Sequence, residues 1–153
     1  TDKCRDMMLK KGIAAGIING SGDMSTWGTQ PNGKAWNIGI TNPFHPEKLL
    51  AVVPLKQEAV TTSGSYEKFV VFDGNRYSHI IDPRTGYPAQ GVVSVSVFAK
   101  QTEIADALAT GIFVLGVDVG LNLVNQLKGI GCIIVDDKGE IHTSKNIDIK
   151  KFN

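Results

Sequence analysis

Asp106 and Thr110 are spaced so that their side-chain oxygens would share one face of a helix. Residues four apart in a helix lie one turn above each other, which would put a carboxylate beside a hydroxyl. Hard oxygen donors of this kind suit Mg²⁺, with backbone carbonyls, water and phosphate oxygens completing its coordination. The same spacing, extended back to Glu103, is also typical of a solvated helix face. Spacing alone favours that plainer interpretation over a metal site.

A second group of candidate residues is Tyr77-Ser78-His79-Ile80-Ile81-Asp82-Pro83-Arg84-Thr85-Gly86-Tyr87-Pro88, in which His79 lies near the end of a predicted strand and a loop containing proline and glycine follows. The alternation of side chains along a strand puts His79 on the face opposite Ser78 and Ile80. An imidazole at the end of a strand could act as a general base. It could equally be an ordinary core or surface histidine with one hydrogen bond.

A third candidate site is the run Thr61-Thr62-Ser63-Gly64-Ser65-Tyr66-Glu67, in which Gly64 interrupts a series of short hydroxyl side chains. A glycine there permits close approach of the backbone or a positive φ, and N–H groups beside hydroxyls suit an anion or the edge of a heterocycle. An ordinary turn at the end of a strand has the same composition, and the local sequence favours that turn.

The elements that must position these residues follow from hydrophobic periodicity. Helices are predicted over residues 2–11, with Thr1 as N-cap and Gly12 just beyond the end, and over residues 102–115 and 118–127. Strands are predicted over residues 13–18 (of the buried type), 24–29, 34–40, 49–55, 58–62, 68–72, 76–81, 92–98, 130–135 and 140–142. Turn residues predict hairpins that pair 24–29 with 34–40, 68–72 with 76–81, and 130–135 with 140–142. The sequence thus predicts one α+β domain over residues 1–153, a largely antiparallel sheet of hairpins with an N-terminal helix and two consecutive later helices packed on it.

Composition excludes several classes of protein. The 153 residues include 16 basic and 15 acidic side chains, a balance that argues against binding driven by nucleic-acid phosphates. The longest apolar runs are far shorter than a membrane span, and 42% hydrophobic residues exclude wholesale disorder. Cys4 and Cys132 lie in no metal-binding spacing, so we expect buried free thiols, with a single disulfide as the alternative.

Five motifs in order along the chain together resemble the ApbE family of FAD:protein FMN transferases. They are Asn19-Gly20-Ser21-Gly22-Asp23, the segment Trp27…Gly33-Lys34-x-Trp36-x-Ile38-Gly39-Ile40, Ala59-Val60-Thr61-Thr62-Ser63-Gly64, His79-Ile80-Ile81-Asp82-Pro83-Arg84-Thr85-Gly86 and Asp106-Ala107-Leu108-Ala109-Thr110. Ser21 stands where a glycine is usual in the family. Members of the family are considerably longer, and this chain resembles their C-terminal portion, without the N-terminal strands that hold much of the FAD.

The resemblance implies Mg²⁺-dependent transfer of FMN from FAD to a Ser or Thr hydroxyl of a target protein, with release of AMP. Asp106 and Thr110 would ligate Mg²⁺, and His79 would be the catalytic base or a binder of the transferring phosphate. The nucleotide itself would contact Ser63, Gly64, His79, Thr85 and Gly86. The resemblance also implies a place in the bacterial periplasm or cell envelope, where many members are lipid-anchored.

Two other functions remain open at the level of sequence. In the first, water replaces the protein hydroxyl, and the protein is a Mg²⁺-dependent FAD pyrophosphatase that gives FMN and AMP. In the second, the chain is a flavin-binding or structural fragment without catalysis. The same residues would serve the two enzymatic functions, so their types and spacing do not separate them.

Overall fold

The computed structural model describes residues 1–66, 69–147 and 150–151. In chain order the elements are α1 (Asp2–Lys10), β1 (Gly16–Gly20), β2 (Asp23–Trp27), β3 (Trp36–Thr41), β4 (Leu49–Leu55), β5 (Ala59–Gly64), β6 (Phe69–Phe72), β7 (Asn75–Ser78), β8 (Val92–Ala99), α2 (Thr102–Leu115), α3 (Val117–Val124), β9 (Gly131–Asp136), β10 (Ile141–Thr143) and β11 (Lys150–Lys151). Every strand pair among them is antiparallel, which confirms the expected α+β class. Within these ranges, no helix has the length and apolar character that a membrane crossing requires.

A six-stranded central sheet, in the order β1-β2-β5-β8-β9-β10, is covered on both faces. Successive residues of a strand point to opposite faces, so Val97 of β8 packs towards α2 and α3 while Phe98 packs the other way. The second sheet, β11-β4-β3, covers that other face. Its buried side chains include Ile38, Ile40 and Val53. The third, two-stranded sheet is the β6–β7 hairpin.

Helix α2 lies against the central sheet through a stripe of small and large apolar side chains at helical spacing. Ala105, Ala109, Ile112 and Phe113 are all fully buried, which explains why the 102–115 segment folds as the predicted helix. Gly116, with φ of +82°, follows as the residue that ends it. The opposite side of α2 remains exposed to solvent.

The N-terminus of α2 is capped by a side chain from α1. The helix has Gln101 at its N-cap position, and that side chain makes no capping hydrogen bond. Instead, the Asp2 carboxylate accepts hydrogen bonds from the Thr102 hydroxyl and the Glu103 backbone N–H, each at 3.1 Å. Arg5 lies 3.4 Å from the same carboxylate. The negative charge of Asp2 therefore lies at the positive end of the helix dipole.

The predicted hairpin between residues 24–29 and 34–40 is wrong. A local turn does form, because Gln30 N donates to Lys34 O at 2.9 Å. However, β2 pairs with β1 and β5 in the central sheet, whereas β3 pairs with β4 in the second sheet. The chain crosses between layers at this turn, and the crossing lets Ile38 and Ile40 cover the face of the central sheet that the helices leave open.

Strand β1 also differs from the prediction of a buried strand over residues 13–18. It begins at Gly16 and forms the edge of the central sheet, with Ile17 41% exposed. An edge strand has a neighbour on one side only, and an apolar run does not show whether a second neighbour will be present.

The other hairpins are confirmed with small changes in their bounds. Strands β6 and β7 pair as predicted, but β7 ends at Ser78 rather than at residue 81, and residue 68 lies outside the described residues. Strands β9 and β10 form the hairpin expected there. Both cysteines are free thiols, and Cys132 is buried as expected, whereas Cys4 is exposed.

Candidate functional site

Strand β5 and helix α2 bring two of the predicted site residues together. Asp106 and Thr110 lie on the exposed side of α2, because Ala105 and Ala109 occupy its buried side. Ser63, near the end of β5, places its hydroxyl oxygen 3.1 Å from that of Thr110. The structure thus puts two hydroxyls in contact on the exposed side of α2 that also carries the Asp106 carboxylate.

Gly64, the next residue of β5, is required by a close approach rather than by an unusual φ. A Cβ atom at this position would collide with the ring of Tyr66, two residues later in the chain. The glycine therefore lets an aromatic ring lie against the end of the strand that carries Ser63.

An open cleft of about 380 Å³ lies next to this end of the sheet. Its lining includes Phe44, Tyr66, Ser78 and Asp137. Its lining therefore combines aromatic side chains with hydroxyl and carboxylate side chains.

His79 follows β7 directly and is exposed, while its neighbours Ser78 and Ile80 are buried. This alternation agrees with the predicted placement of His79 on the face opposite both neighbours. Ile80 belongs to the same core as Ala105 and Ala109 of α2. The chain that leaves His79 therefore runs on the helix-covered side of the central sheet.

Thr85 and Gly86 lie in a tight turn, which we call the 82–86 bend after its residues. The Asp82 carbonyl oxygen accepts hydrogen bonds from Thr85 N at 3.2 Å and from Gly86 N at 2.8 Å. Gly86 has a φ of +75°, a conformation that side chains disfavour, so glycine is needed there. Both predicted nucleotide contacts are exposed.

Arg84 ties this bend to the C-terminal turn of α2. Its guanidinium donates to both carboxylate oxygens of Asp82, at 2.9 Å and 2.8 Å, and Nη2 also donates to the Val114 carbonyl at 3.0 Å. These hydrogen bonds from Arg84 hold the pKa of the Asp82 carboxyl below its ordinary value. The bend therefore meets α2 four residues beyond Thr110.

Sequence reasoning missed a second group of ligand-type side chains, Asp136, Glu140 and His142, whose ligand atoms lie within 4.8 Å of one another. The Asp136 carboxylate accepts hydrogen bonds from the backbone N–H groups of Lys138 and Glu140, and its other oxygen lies 3.0 Å from His142 Nε2. The bond to His142 is the main cause of the lowered pKa of Asp136. These contacts close the β9–β10 hairpin. The only signal for them in the sequence is an Asp, Glu and His arranged around a predicted turn.

Known proteins with similar sequences and structures agree with the resemblance. The "FAD:protein FMN transferase" of Treponema pallidum is 42% identical over 114 residues, which cover 73% of this chain and 32% of that protein. The protein of the same name from Salmonella typhimurium is 33% identical over 141 residues, which cover 91% of this chain and 40% of that protein. The crystal structure of the ApbE protein from Thermotoga maritima superposes with a TM-score of 0.86 at 38% identity, and the match covers 94% of this chain and 47% of that one.

The chain therefore spans between a third and a half of the length of these relatives. The sequence profile of the ApbE family matches residues 1–134, and the structural match extends over nearly all of the chain. This chain belongs to the ApbE family.

Proposed function

We propose that the protein carrying this chain transfers FMN from FAD to a Ser or Thr hydroxyl of a target protein and releases AMP. One observation carries the proposal: the hydroxyls of Ser63 and Thr110 meet on the side of α2 that carries Asp106. The 82–86 bend is also hydrogen-bonded to the same helix through Arg84. The names of the relatives support the same reaction. Residues 1–153 would form only part of the transferase, its C-terminal part as the resemblance implies, since the relatives are about twice as long.

The proposed chemistry is a substitution at one phosphorus of the FAD diphosphate. The oxygen of the target hydroxyl attacks the phosphorus on the FMN side, and the bond from that phosphorus to the bridging oxygen breaks. AMP leaves with the bridging oxygen, and FMN remains joined to the target through a phosphoester bond. His79 accepts the proton of the attacking hydroxyl at an imidazole nitrogen.

Asp106 and Thr110 would hold Mg²⁺ for this reaction, and the donor set fits such an ion. An exposed carboxylate and hydroxyl oxygen are hard donors of the kind that Mg²⁺ prefers, with sites left over for water and phosphate. When bound, the ion supplies charge neutralisation at the diphosphate. We place it here rather than at Asp136, because that carboxylate already accepts three hydrogen bonds in the β9–β10 turn.

The remaining residues would bind and orient FAD. Thr85 and Gly86 present an exposed turn to the flavin nucleotide, and Ser63 and Gly64 contribute polar contacts from the end of β5. A substitution at phosphorus is fastest when nucleophile, phosphorus and leaving group are held in line. The main contribution of these four residues would therefore be to orient FAD. We also propose that the protein acts in the bacterial cell envelope, as the resemblance implies. Cell fractionation with an antibody against the chain tests that placement.

The decisive experiment uses the protein at the full length that its gene encodes, with FAD, Mg²⁺ and a candidate acceptor protein. We expect covalent flavin fluorescence on the acceptor after denaturing electrophoresis. Asp106→Ala should abolish the Mg²⁺-dependent labelling without unfolding the protein. Glu103→Ala is the matched control, because it removes an exposed acid from the same helix one turn earlier. Normal labelling by Asp106→Ala would contradict the metal assignment, and free FMN without labelled protein would assign water as the acceptor.

His79→Ala tests the proton acceptor separately. We expect slower labelling at saturating FAD, with a dissociation constant for FAD close to that of the wild type. If FAD affinity and labelling rate fell together by the same factor, His79 would be a binding residue and not the base.

A further inference from the structure

The C-terminal end of α2 has carbonyl groups that the helix itself cannot satisfy. The last four carbonyls of any α-helix lack partners within it, and a positive charge there is favourable. Gly116 N donates to Ile112 O at 3.0 Å, and the last turn of α2 contains no basic residue. The Val114 carbonyl receives its hydrogen bond from Arg84, thirty residues earlier in the chain.

Arg84 reaches this carbonyl in a fixed orientation because Asp82 holds it on the other side. The guanidinium is planar, and its Nε and Nη2 atoms match the two oxygens of the carboxylate. The same carboxylate accepts the backbone N–H of Arg84 at 2.9 Å, and the Asp82 carbonyl accepts two further N–H groups of the bend. Asp82 therefore shapes the bend while Arg84 fastens it to the helix.

We propose that Arg84 is a positioning residue: by bridging Asp82 and the Val114 carbonyl, it sets the separation between the 82–86 bend and the Asp106–Thr110 pair. This inference rests on the function proposed above, in which the bend contacts FAD and the pair holds the metal ion. Val114 lies about 6 Å along the helix axis from Thr110, given the rise of an α-helix. Because Val114 and Thr110 belong to one continuous helix whose buried face packs from Ala105 to Phe113, a bend held at Val114 is also held near Thr110.

Lysine cannot replace arginine in this role. Its ammonium group is a single point charge on a flexible stem, and it lacks the planar fork that engages both carboxylate oxygens while a third N–H reaches a carbonyl. Arg84→Lys therefore keeps the charge and removes the geometry. Arg84→Ala removes both, and Asp82→Asn loosens the hold on the guanidinium from the other side.

The test compares these three variants of the full-length protein in three measurements. The first is the dissociation constant for FAD by titration in the presence of Mg²⁺. The second is the rate of acceptor labelling at saturating FAD. The third is the exchange of backbone amide hydrogens in peptides that cover the bend and in peptides that cover α2. Lys145→Met is the control, because it removes an exposed positive charge from the loop after β10.

We expect all three variants to weaken FAD binding at least tenfold and to speed amide exchange in the bend. The labelling rate at saturating FAD should also fall, by about tenfold or more, because FAD bound to a displaced bend is no longer held in line with the metal pair, and exchange in α2 should not change. Wild-type FAD affinity in Arg84→Lys would overturn the proposal, because charge alone would then suffice. Unchanged affinity with faster exchange in the bend would also overturn it, since the contact would then be structural only.

If the proposed transferase function is wrong, the three measurements give a different pattern. A wild-type protein that binds FAD but labels no acceptor contradicts the transferase activity, while FAD affinity and amide exchange still decide the role of Arg84. A wild-type protein that does not bind FAD overturns both.

Discussion

Replacement of Asp2 should destabilise the chain through α2, although Asp2 belongs to α1. Its carboxylate accepts one hydrogen bond from the Thr102 hydroxyl and one from the Glu103 N–H, at the end of a helix whose own N-cap residue makes none. Arg5 keeps other partners when Asp2 is removed, because it also donates to Ser25 Oγ and Lys100 O. The loss is therefore that of a helix cap and not of a buried, unpaired cation.

The size of the effect follows from these contacts. Loss of an N-cap side chain costs about 0.5–2 kcal/mol of stability. Because Asp2 accepts two hydrogen bonds, we expect Asp2→Ala to cost an amount in the upper half of that range, about 1–2 kcal/mol. Asp2→Asn keeps one acceptor oxygen and loses the charge, which costs about 0.3–1 kcal/mol at a helix N-terminus. For a chain of this length, each kcal/mol lowers Tm by about 2–4 °C. Asp2→Ala should therefore lower Tm by about 2–8 °C.

The pH dependence gives a second, independent signature. Partial burial alone would raise the pKa of the Asp2 carboxyl, but hydrogen bonds from Thr102 and Glu103 and the charge of Arg5 outweigh it, so the pKa lies below the ordinary 3.8. A lowered pKa in the folded state contributes stability at pH values above about 4, and this contribution is lost as pH falls through the folded pKa. The difference between wild type and Asp2→Asn should hold from pH 7 to pH 5 and shrink below about pH 4.

Urea denaturation at pH 7 and at pH 3, followed by far-ultraviolet circular dichroism, measures both effects. Asp6→Asn is the control, because Asp6 also pairs with Arg5, at 3.6 Å, but its side chain is 60% exposed and contacts the guanidinium alone. Such a surface pair contributes about 0–1 kcal/mol. Equal effects of the Asp2 and Asp6 variants, or a wild-type advantage over Asp2→Asn that is as large at pH 3 as at pH 7, would refute the capping argument.

Three further outcomes follow from packing. Burial raises the pKa of the Cys132 thiol to about 11, so a thiol reagent at pH 8 should label exposed Cys4 and leave Cys132 intact until the protein is unfolded, as mass spectrometry would show. Phe113→Ala removes a fully buried ring and should lower the free energy of unfolding by about 3–5 kcal/mol in urea denaturation; a loss below 1 kcal/mol would contradict its place in the core. Gly64→Ala should displace the Tyr66 ring, at a cost of about 1 kcal/mol, and unshifted ring resonances in NMR spectra would show that the predicted collision is absent.

Local signals in the sequence predicted the elements better than their partners. The 102–115 helix is confirmed at both ends because its apolar period and Gly116 are properties of the segment itself. Strand β4 is confirmed at 49–55 for the same reason. The partner of β3 is not local, since the turn before it is compatible with a hairpin and with a crossing between sheets. The crossing forms because it buries Ile38 and Ile40 against the face of the central sheet that the helices leave open.

The candidate site likewise contains residues that the sequence predicted and contacts that it did not. Residue types and helical spacing identified Asp106 and Thr110, but the contact between Thr110 and Ser63 joins residues 47 positions apart and depends on how α2 lies against β5. The bond from Arg84 to Val114 has no signal in the sequence at all, because a backbone carbonyl accepts hydrogen bonds whatever its side chain. The chemical roles of these residues remain predictions that the experiments above address.

The alternation of buried side chains along β8 and β9 has a consequence for how the molecule loses its structure. Val97 and Ile134 face the helices while Phe98 and Ile133 face the second sheet. Strands β8 and β9 therefore each contribute side chains to both hydrophobic cores. Removal of strands β3 and β4 would expose Phe98 and Ile133 to water and destabilise β8 and β9, the strands against which the helices pack. Unfolding should therefore be all-or-none across the two layers, and a trimmed fragment that keeps only the helical side should not hold Ser63 against Thr110.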